Sequence, residues 1–533
     1  MAAGAALAAG AVFTGVGAAS SQSDGLALSN VPTANTKSDG FAPASKLSPE
    51  LTQTAVAQGS TALENPSALT SYYGYDNDVL NAAGQPQMVP TPTTATEAHK
   101  TEPDKNTYLV FGHGLTGADS HYNYGRHFLF QGHEGGAGGA GYLTRINLDA
   151  DAAHRVTLLA TTDANGQQIA TIDGSTWDPW ARRLLFTTEN ENAPTYAATP
   201  GFPSVVTDVS GALGRGGYEG IQNDSAGNIW IVEDIGGPGK AGTPARQPNS
   251  FLYRYVPARP GDLQHGKLQA LQVLNSAGDP ITLESQAALN SPDQVALHTY
   301  GQKFKTQWVT VHDTATAGNS PFDANVAAKA AHATPFKRPE NGLFQPGSGF
   351  RTFFFDETGD TNATSPENAS AGGWGSVMKL TQSSPRASTG TLTMFYKSDQ
   401  AHSAFDNVAF LSRNRVTFVE DAGDTLHTQR NALDSGYVFD TNTDYANPSN
   451  QPVRWLAEGR DPSATIDSAN GGFGKNDGDN EITGAHVSNG DTGVGGILGA
   501  QVPDLNDPSW RWFYTQQHGD NTTYEVIPVN RQG

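Results

Sequence analysis

The chain has 533 residues, including 60 Gly, 31 Pro and no Cys, and its 32 Lys and Arg against 53 Asp and Glu give a net charge of −21. That surplus of acid repels phosphate backbones and anionic headgroups, which argues against nucleic acid and membrane surfaces as partners. The missing thiol excludes disulfides, thiolate metal sites, iron–sulfur clusters and cysteine nucleophiles, and plentiful Gly and Pro with few Leu-rich stretches favour an all-β fold.

The opening stretch to Ala19 is mostly Ala, Gly and Val without charge, ending in the small residues Gly17, Ala18 and Ala19. It reads as the apolar part and cleavage site of a secretory signal whose basic start is truncated, so the mature protein is expected outside the cytoplasm. Residues 20–105 are rich in Ser, Thr, Ala, Pro and Asn, with apolar residues too scattered to form a face. They read as an extended N-terminal arm, with the folded body, a single domain over residues 106–533, beginning near Tyr108.

From there one pattern recurs: a carboxylate, a short apolar stretch, a polar turn, then a β-rich run ending in Glu, Asp or His. The copies are IDGSTWDPWARRLLFTTEN from Ile172, YEGIQNDSAGNIWIVED from Tyr218, PENGLFQPGSGFRTFFFDET from Pro339, FDNVAFLSRNRVTFVED from Phe405 and NEITGAHVSNGD from Asn480, which is followed by RWFYTQQHGD. TYLVFGHG with GRHFLFQGHEGG is a partial copy ahead of them. Each is a hairpin of β-formers around a Gly, Asn, Asp, Ser or Pro turn. Six such hairpins predict a six-bladed β-propeller with inserted loops, set against a β-sandwich of similar length. The run QWVTVHDT, Gln307 to Thr314, predicts a further strand inside the long interval between the second and third full copies.

In a propeller the opening acids Asp173, Glu219, Glu340, Asp406 and Glu481 converge on one channel. Their mutual repulsion and desolvation would cost several kcal/mol without countercharge, and hard oxygen ligands select calcium, magnesium, manganese or ferric ions. Further candidates end the second strands: His133 and Glu134, Glu189, Glu233 and Asp234, Glu420 and Asp421, and His518. Arg338, beside Glu340, is placed either to bind a phosphate or carboxylate in two-point fashion or to pair with Glu340 or a neighbour. The run NDGDNE, Asn476 to Glu481, resembles the start of a calcium loop without the full EF-hand pattern. No GxSxG elbow, Walker A loop or HExxH helix is present, so serine-nucleophile, nucleotide and zinc-protease chemistry lack support.

Taken together, RPEN at Arg338 to Asn341, HE at His133 to Glu134, DPW followed by LLFTTEN, the YEG of Tyr218 to Gly220, FDNVAF followed by VED, and EITG followed by QQHGD resemble the PhoX-type alkaline phosphatases from about Tyr108 onward. The resemblance implies export, a six-bladed propeller carrying calcium and ferric ions in its channel, and hydrolysis of a small phosphorylated substrate, a phosphate monoester. It implies that Arg338 contacts the phosphoryl group with Glu340 beside it in the catalytic centre. It makes Glu219 and Glu340 metal ligands, completed by Asp406 or Asp421 and by Glu481. Glu134, Asp173 and Glu189 join the metal set as acids of the repeat, His518 is a second substrate-binding candidate, and the protein is expected to be a monomer. One position departs: counting back from Pro179 and Trp180, Asp173 stands where the family carries an iron-bridging Cys, which puts iron in question and leaves calcium favoured. The same residues admit two other readings, a calcium-dependent lactonase or esterase using Asn341 and Asn407, and a secreted binding propeller without activity.

Overall fold

The computed structural model describes residues 26–37, 43–88, 96–237, 246–282, 291–362, 364–459, 481–518 and 521–531. The Ala-rich opening to Ala19 and the NDGDN run, 476–480, lie outside them. Among the described residues the regular structure is mostly antiparallel sheet with a few short helices, among them Pro292–Leu297, Ala324–Ala330 and Gly423–Arg430. No helix among the described residues is long and apolar enough to cross a membrane.

Apart from the short pair Thr70–Tyr72 with Tyr75–Asp76, the strands of the described residues form six up-and-down meanders, each opened by a strand of one sequence copy: Thr107–Val110, Ser175–Asp178, Tyr218–Asn223, Gly342–Phe344, Phe405–Phe410 and Glu481–Ser488. Four meanders stand as separate sheets of four or five strands. The third and fourth are fused into a nine-stranded sheet because Phe304–Asp313, which contains the QWVTVHD run, pairs on one side with Gly266–Leu274 and on the other with Thr389–Lys397. The inserted segment thus zips two outer edges together, covering ladder groups that would otherwise face water.

The arrangement is propeller-like. Each opening strand adjoins that of the next meander, and Glu481–Ser488 adjoins Thr107–Val110, so the six make a cycle. The apolar cores form the same cycle, each between two neighbouring sheets. Phe128 and Leu143 pack with Leu184 and Phe186; Leu185 with Ile221 and Ile231; Trp230 and Leu271 with Phe353 and Met378; Phe354 and Val377 with Phe405 and Phe418; Val419 and Trp455 with Ile482 and Trp512; and Phe513 returns to Leu129 and Tyr142. Strands buried on both faces explain why second strands such as Ile229–Glu233 and Thr352–Glu357 read as nearly continuous apolar runs instead of alternating.

Ordered structure starts well before Tyr108. Lys46–Leu47 pairs with Val453–Ala457 at the edge of the fifth sheet, and Leu51–Ala57 pairs with Thr522–Pro528, supplying the fourth strand of the last. The sixth copy has only three strands of its own, and the N-terminal segment completes it. Its sparse apolar residues hide this role, since an edge strand needs mainly its backbone donors and acceptors.

Candidate metal and phosphate site

The residues that open the first strands meet around the axis of this cycle. Asp173, Glu219, Glu340 and Asp406 are all buried, and Asp104, which opens the first meander, joins them. Three groups have carboxylate oxygens close enough to share a cation: Asp104 with Glu134 and Asp173; Asp173 with Glu189 and Glu219; Glu219 with Asp234 and Glu340. Asp173 and Glu219 each belong to two groups, so the three form a continuous arc.

Two glycines make the arc possible. A Cβ on Gly174 would lie 1.9 Å from the carbonyl oxygen of Glu219, and one on Gly220 would lie 2.9 Å from Cα of Asn341. Asp-Gly and Glu-Gly pairs therefore let successive opening strands approach closely enough for one carboxylate to reach two neighbours. The backbone N–H of Gly220 donates to the carbonyl of Glu340 at 2.8 Å, fixing that approach. The opening acids Asp104 and Asp406 are followed by Lys105 and Asn407 instead.

The second-strand ends sort by alternation. In a strand, consecutive side chains point to opposite faces, so each pair splits between sheet interior and channel. Glu233 turns inward, accepting from the Phe251 N–H, the Tyr253 hydroxyl and Asn325 at 3.0–3.1 Å, while Asp234 joins the arc. Glu420 turns inward to Arg430 and the N–H groups of Ser403 and Ser435. His133 is buried between Thr101 and Thr144, and burial pulls it down to about 3, so it is neutral there, while Glu134 faces the channel. Glu357 and Thr358 repeat the split: Glu357 accepts from His298 and the Lys337 N–H, and the Thr358 hydroxyl donates to Glu340.

Of the sequence-derived metal candidates, Glu134, Asp173, Glu189, Glu219 and Glu340 lie on the arc. Among the described residues Asp406, Asp421 and Glu481 belong to no such group. Asp406 accepts from Asn341 at 3.3 Å and Asn407 at 2.8 Å, and Glu481 faces His518 at 3.2 Å. Asp104, Lys105 and Asp356 were not among the sequence candidates. Asp104-Lys105-Asn106 precedes its strand as Asp406-Asn407 begins its own, a signal that the arm-like composition ahead of it conceals.

Burial raises Asp104, and burial with mutual repulsion raises Glu134, Asp173, Glu219 and Glu340. Asp173 is pushed up first by desolvation, then by Asp104; Glu219 by desolvation, then by Asp173; Glu340 by desolvation, then by Asp234. Glu189 reaches solvent at the rim, yet the protein crowding around it and Asp234 hold it up to about 7. Among the described residues Asp173 Oδ1 and Asp356 Oδ2 have no hydrogen-bond partner although both are buried. A hard cation would satisfy Asp173 Oδ1 and restore the ionised state, so the donor set fits calcium-like ions.

Cations of the protein sit beside the acids. Arg338 donates through Nε and Nη2 to Asp234 at 3.0 and 2.6 Å and through Nη1 to Thr361 at 2.8 Å, and its Nη2 lies 3.4 Å from Glu340. Pairing with both neighbours is thus observed, and the Arg338 side chain remains 22% exposed. His518 bridges Glu102 at 3.0 Å and Glu481 at 3.2 Å, which outweigh burial and hold it protonated well above the ordinary histidine range. Arg338 and His518 both have left-handed backbone, with φ 52° and 58°. Such strain in a non-Gly residue persists where surrounding contacts impose it.

The model of the alkaline phosphatase PhoX family matches residues 241–497. Among solved structures, Pseudomonas fluorescens PhoX in complex with vanadate, a transition state analogue, superposes with a TM-score of 0.55 at 11% identity, over 95% of this chain and 98% of that one. An auxiliary nutrient binding protein from Bacteroides thetaiotaomicron aligns at a TM-score of 0.34 and 10% identity, over 80% of this chain and 72% of that one. No curated protein sequence matches.

Proposed function

We infer that this chain, matched over residues 241–497 by the PhoX alkaline phosphatase family, is an exported phosphatase that cleaves phosphate monoesters at a calcium centre held by its channel carboxylates. In this reading the six meanders are the six blades of a propeller, two of them joined by the Phe304–Asp313 strand. The observation that carries the inference is the arc of three overlapping carboxylate groups ending at Glu340, with Arg338 against its last member. Three groups sharing ligands suit several ions, which favours a phosphatase centre over the single-ion lactonase reading.

Asp104, Glu134 and Asp173, then Glu189 and Glu219, then Asp234 and Glu340 would hold the cations. Bound there, the cations supply Lewis-acid polarisation of a phosphoryl oxygen and a water of lowered pKa. Arg338 is the phosphoryl anchor. Asp234 and Thr361 fix its plane, and its exposed edge offers charge to the equatorial oxygens, where negative charge spreads during transfer. His518 has each ring nitrogen on a carboxylate, so it orients Glu481 and contributes positive charge at the rim without a free proton to give. The walls of buried carboxylate and apolar strand exclude bulk water, which strengthens each of these interactions.

The test is hydrolysis of p-nitrophenyl phosphate by purified protein across a calcium series with and without ferric ion. Calcium-dependent turnover supports the reading; no turnover under any metal condition removes it.

A further inference from the structure

We propose that Lys105 is a tethered cation that occupies a would-be calcium position in the channel and so sets how many divalent ions the ring accepts. The inference rests on the metal reading above and concerns the side of the ring that the carboxylate arc leaves out.

Lys105 comes from the first meander and is 3% exposed. Its ammonium donates to Asn407 Oδ1 at 2.7 Å and to the carbonyl of Ala485 at 3.3 Å, groups of the fifth and sixth meanders. Burial pulls its pKa down, and Asp406, Asp104, Asp356 and Asp173 act against that fall by favouring the charged form. What surrounds the ammonium is therefore an amide oxygen, a main-chain carbonyl and nearby carboxylates, the mixture of neutral and charged hard oxygens that calcium takes.

The remaining acids on this side match that description. Asp406 and Asp356 are as buried as the arc members, yet among the described residues neither belongs to a group able to share a cation, and Asp356 Oδ2 has no hydrogen-bond partner. Asp356 uses its other oxygen on the N–H of Asn341 at 2.8 Å. Leaving these carboxylates buried and ionised without a countercharge would be costly. A covalently attached ammonium offsets them without depending on the calcium concentration, and it bars a mobile ion from the same volume. Divalent ions are thereby confined to the arc from Asp104 to Glu340.

The experiment counts calcium bound per full-length chain by isothermal titration and elemental analysis after chelator treatment. Lys105→Ala vacates the position and is expected to bind one calcium ion more than the unaltered protein; Lys105→Arg, keeping a charge there, is expected to bind the same number as the unaltered protein. An equal or lower count for Lys105→Ala overturns the inference. Should that variant not fold, Asp356→Asn decides: an unchanged count agrees with Asp356 being served by Lys105, and loss of one ion makes Asp356 a calcium ligand and overturns it. If the unaltered protein binds no divalent ion, the metal reading itself falls, and an ion gained by Lys105→Ala would still support the role of Lys105.

Discussion

Asp234 serves two partners at once: its carboxylate takes both Nε and Nη2 of Arg338 and also completes the last carboxylate group of the arc with Glu219 and Glu340. The arginine and the metal ligands are thus mechanically joined through one side chain. Asp234→Asn weakens the two-point pair and removes a ligand charge, so kcat/KM for p-nitrophenyl phosphate is expected to fall by about 2–4 kcal/mol in transition-state terms, roughly 30- to 1,000-fold. Arg338→Lys should fall nearly as far, since an ammonium cannot reproduce the planar two-point pair. Near-normal activity in both variants would show that the guanidinium is only structural.

Gly174 and Gly220 predict a coupled loss. A methyl on Gly174 has no room against the Glu219 carbonyl, so Gly174→Ala must separate two opening strands. Overpacking of this kind costs about 1–3 kcal/mol of stability. It should also lower the number of calcium ions bound, because Asp173 and Glu219 would no longer share one. Titration calorimetry together with thermal unfolding separates the two effects; a stability loss with the full complement of calcium would contradict the shared-ligand geometry.

Much of this could be read from the sequence, and the remainder fails for definable reasons. Hairpin copies and their leading acids are local patterns, so Asp173, Glu219, Glu340 and Asp406 were legible as candidates. Which of Glu233 and Asp234 faces the channel depends on the phase of a strand buried on both faces, where hydrophobicity gives no alternation to read. Asp104 and Lys105 were hidden by composition, since the polar stretch before them resembles a tail. The edge strand Leu51–Ala57 was hidden likewise, because pairing at that distance is decided by the partner's free edge and not by local propensity.

Metal-free protein is expected to lose stability as pH rises. Burial and Asp434 push Asp421 up to about 6, and the protein crowding around the rim residue Glu189, together with Asp234, pushes it up to about 7. Unfolded carboxyls titrate near pH 4, so between about pH 4 and 7 the folded state binds more protons than the unfolded, and stability falls through that window. Calorimetry on chelator-treated protein should give a higher Tm at pH 5 than at pH 8. Saturating calcium, by holding the carboxylates ionised, should abolish the difference and stabilise by about 2.7 kcal/mol per site at a hundredfold excess over Kd. A metal-free Tm that climbs from pH 5 to 8 would contradict the carboxylate crowding.

The inward-facing acids predict the opposite phenotype to their neighbours. Glu420→Ala strands Arg430, which is 4% exposed, with only part of its charge met by Asp434. Breaking a buried pair from one side costs about 3–5 kcal/mol, so unfolding by urea should show a loss of that order. Calcium stoichiometry should stay unchanged, in contrast to Asp234→Asn. A lost calcium ion in Glu420→Ala would place that carboxylate in the channel.

Leu51 lies opposite Pro528, so two strands more than 400 residues apart in sequence are neighbours in one sheet. During synthesis the first of these strands emerges long before its partner exists, and this sheet cannot be completed until Thr522–Pro528 has been made. The N-terminal strand must therefore wait, unpaired, while most of the molecule is made. Contacts this distant in sequence are slow to form. A chain built this way stays unlocked until Thr522–Pro528 has been made, a long interval for a chaperone to guard.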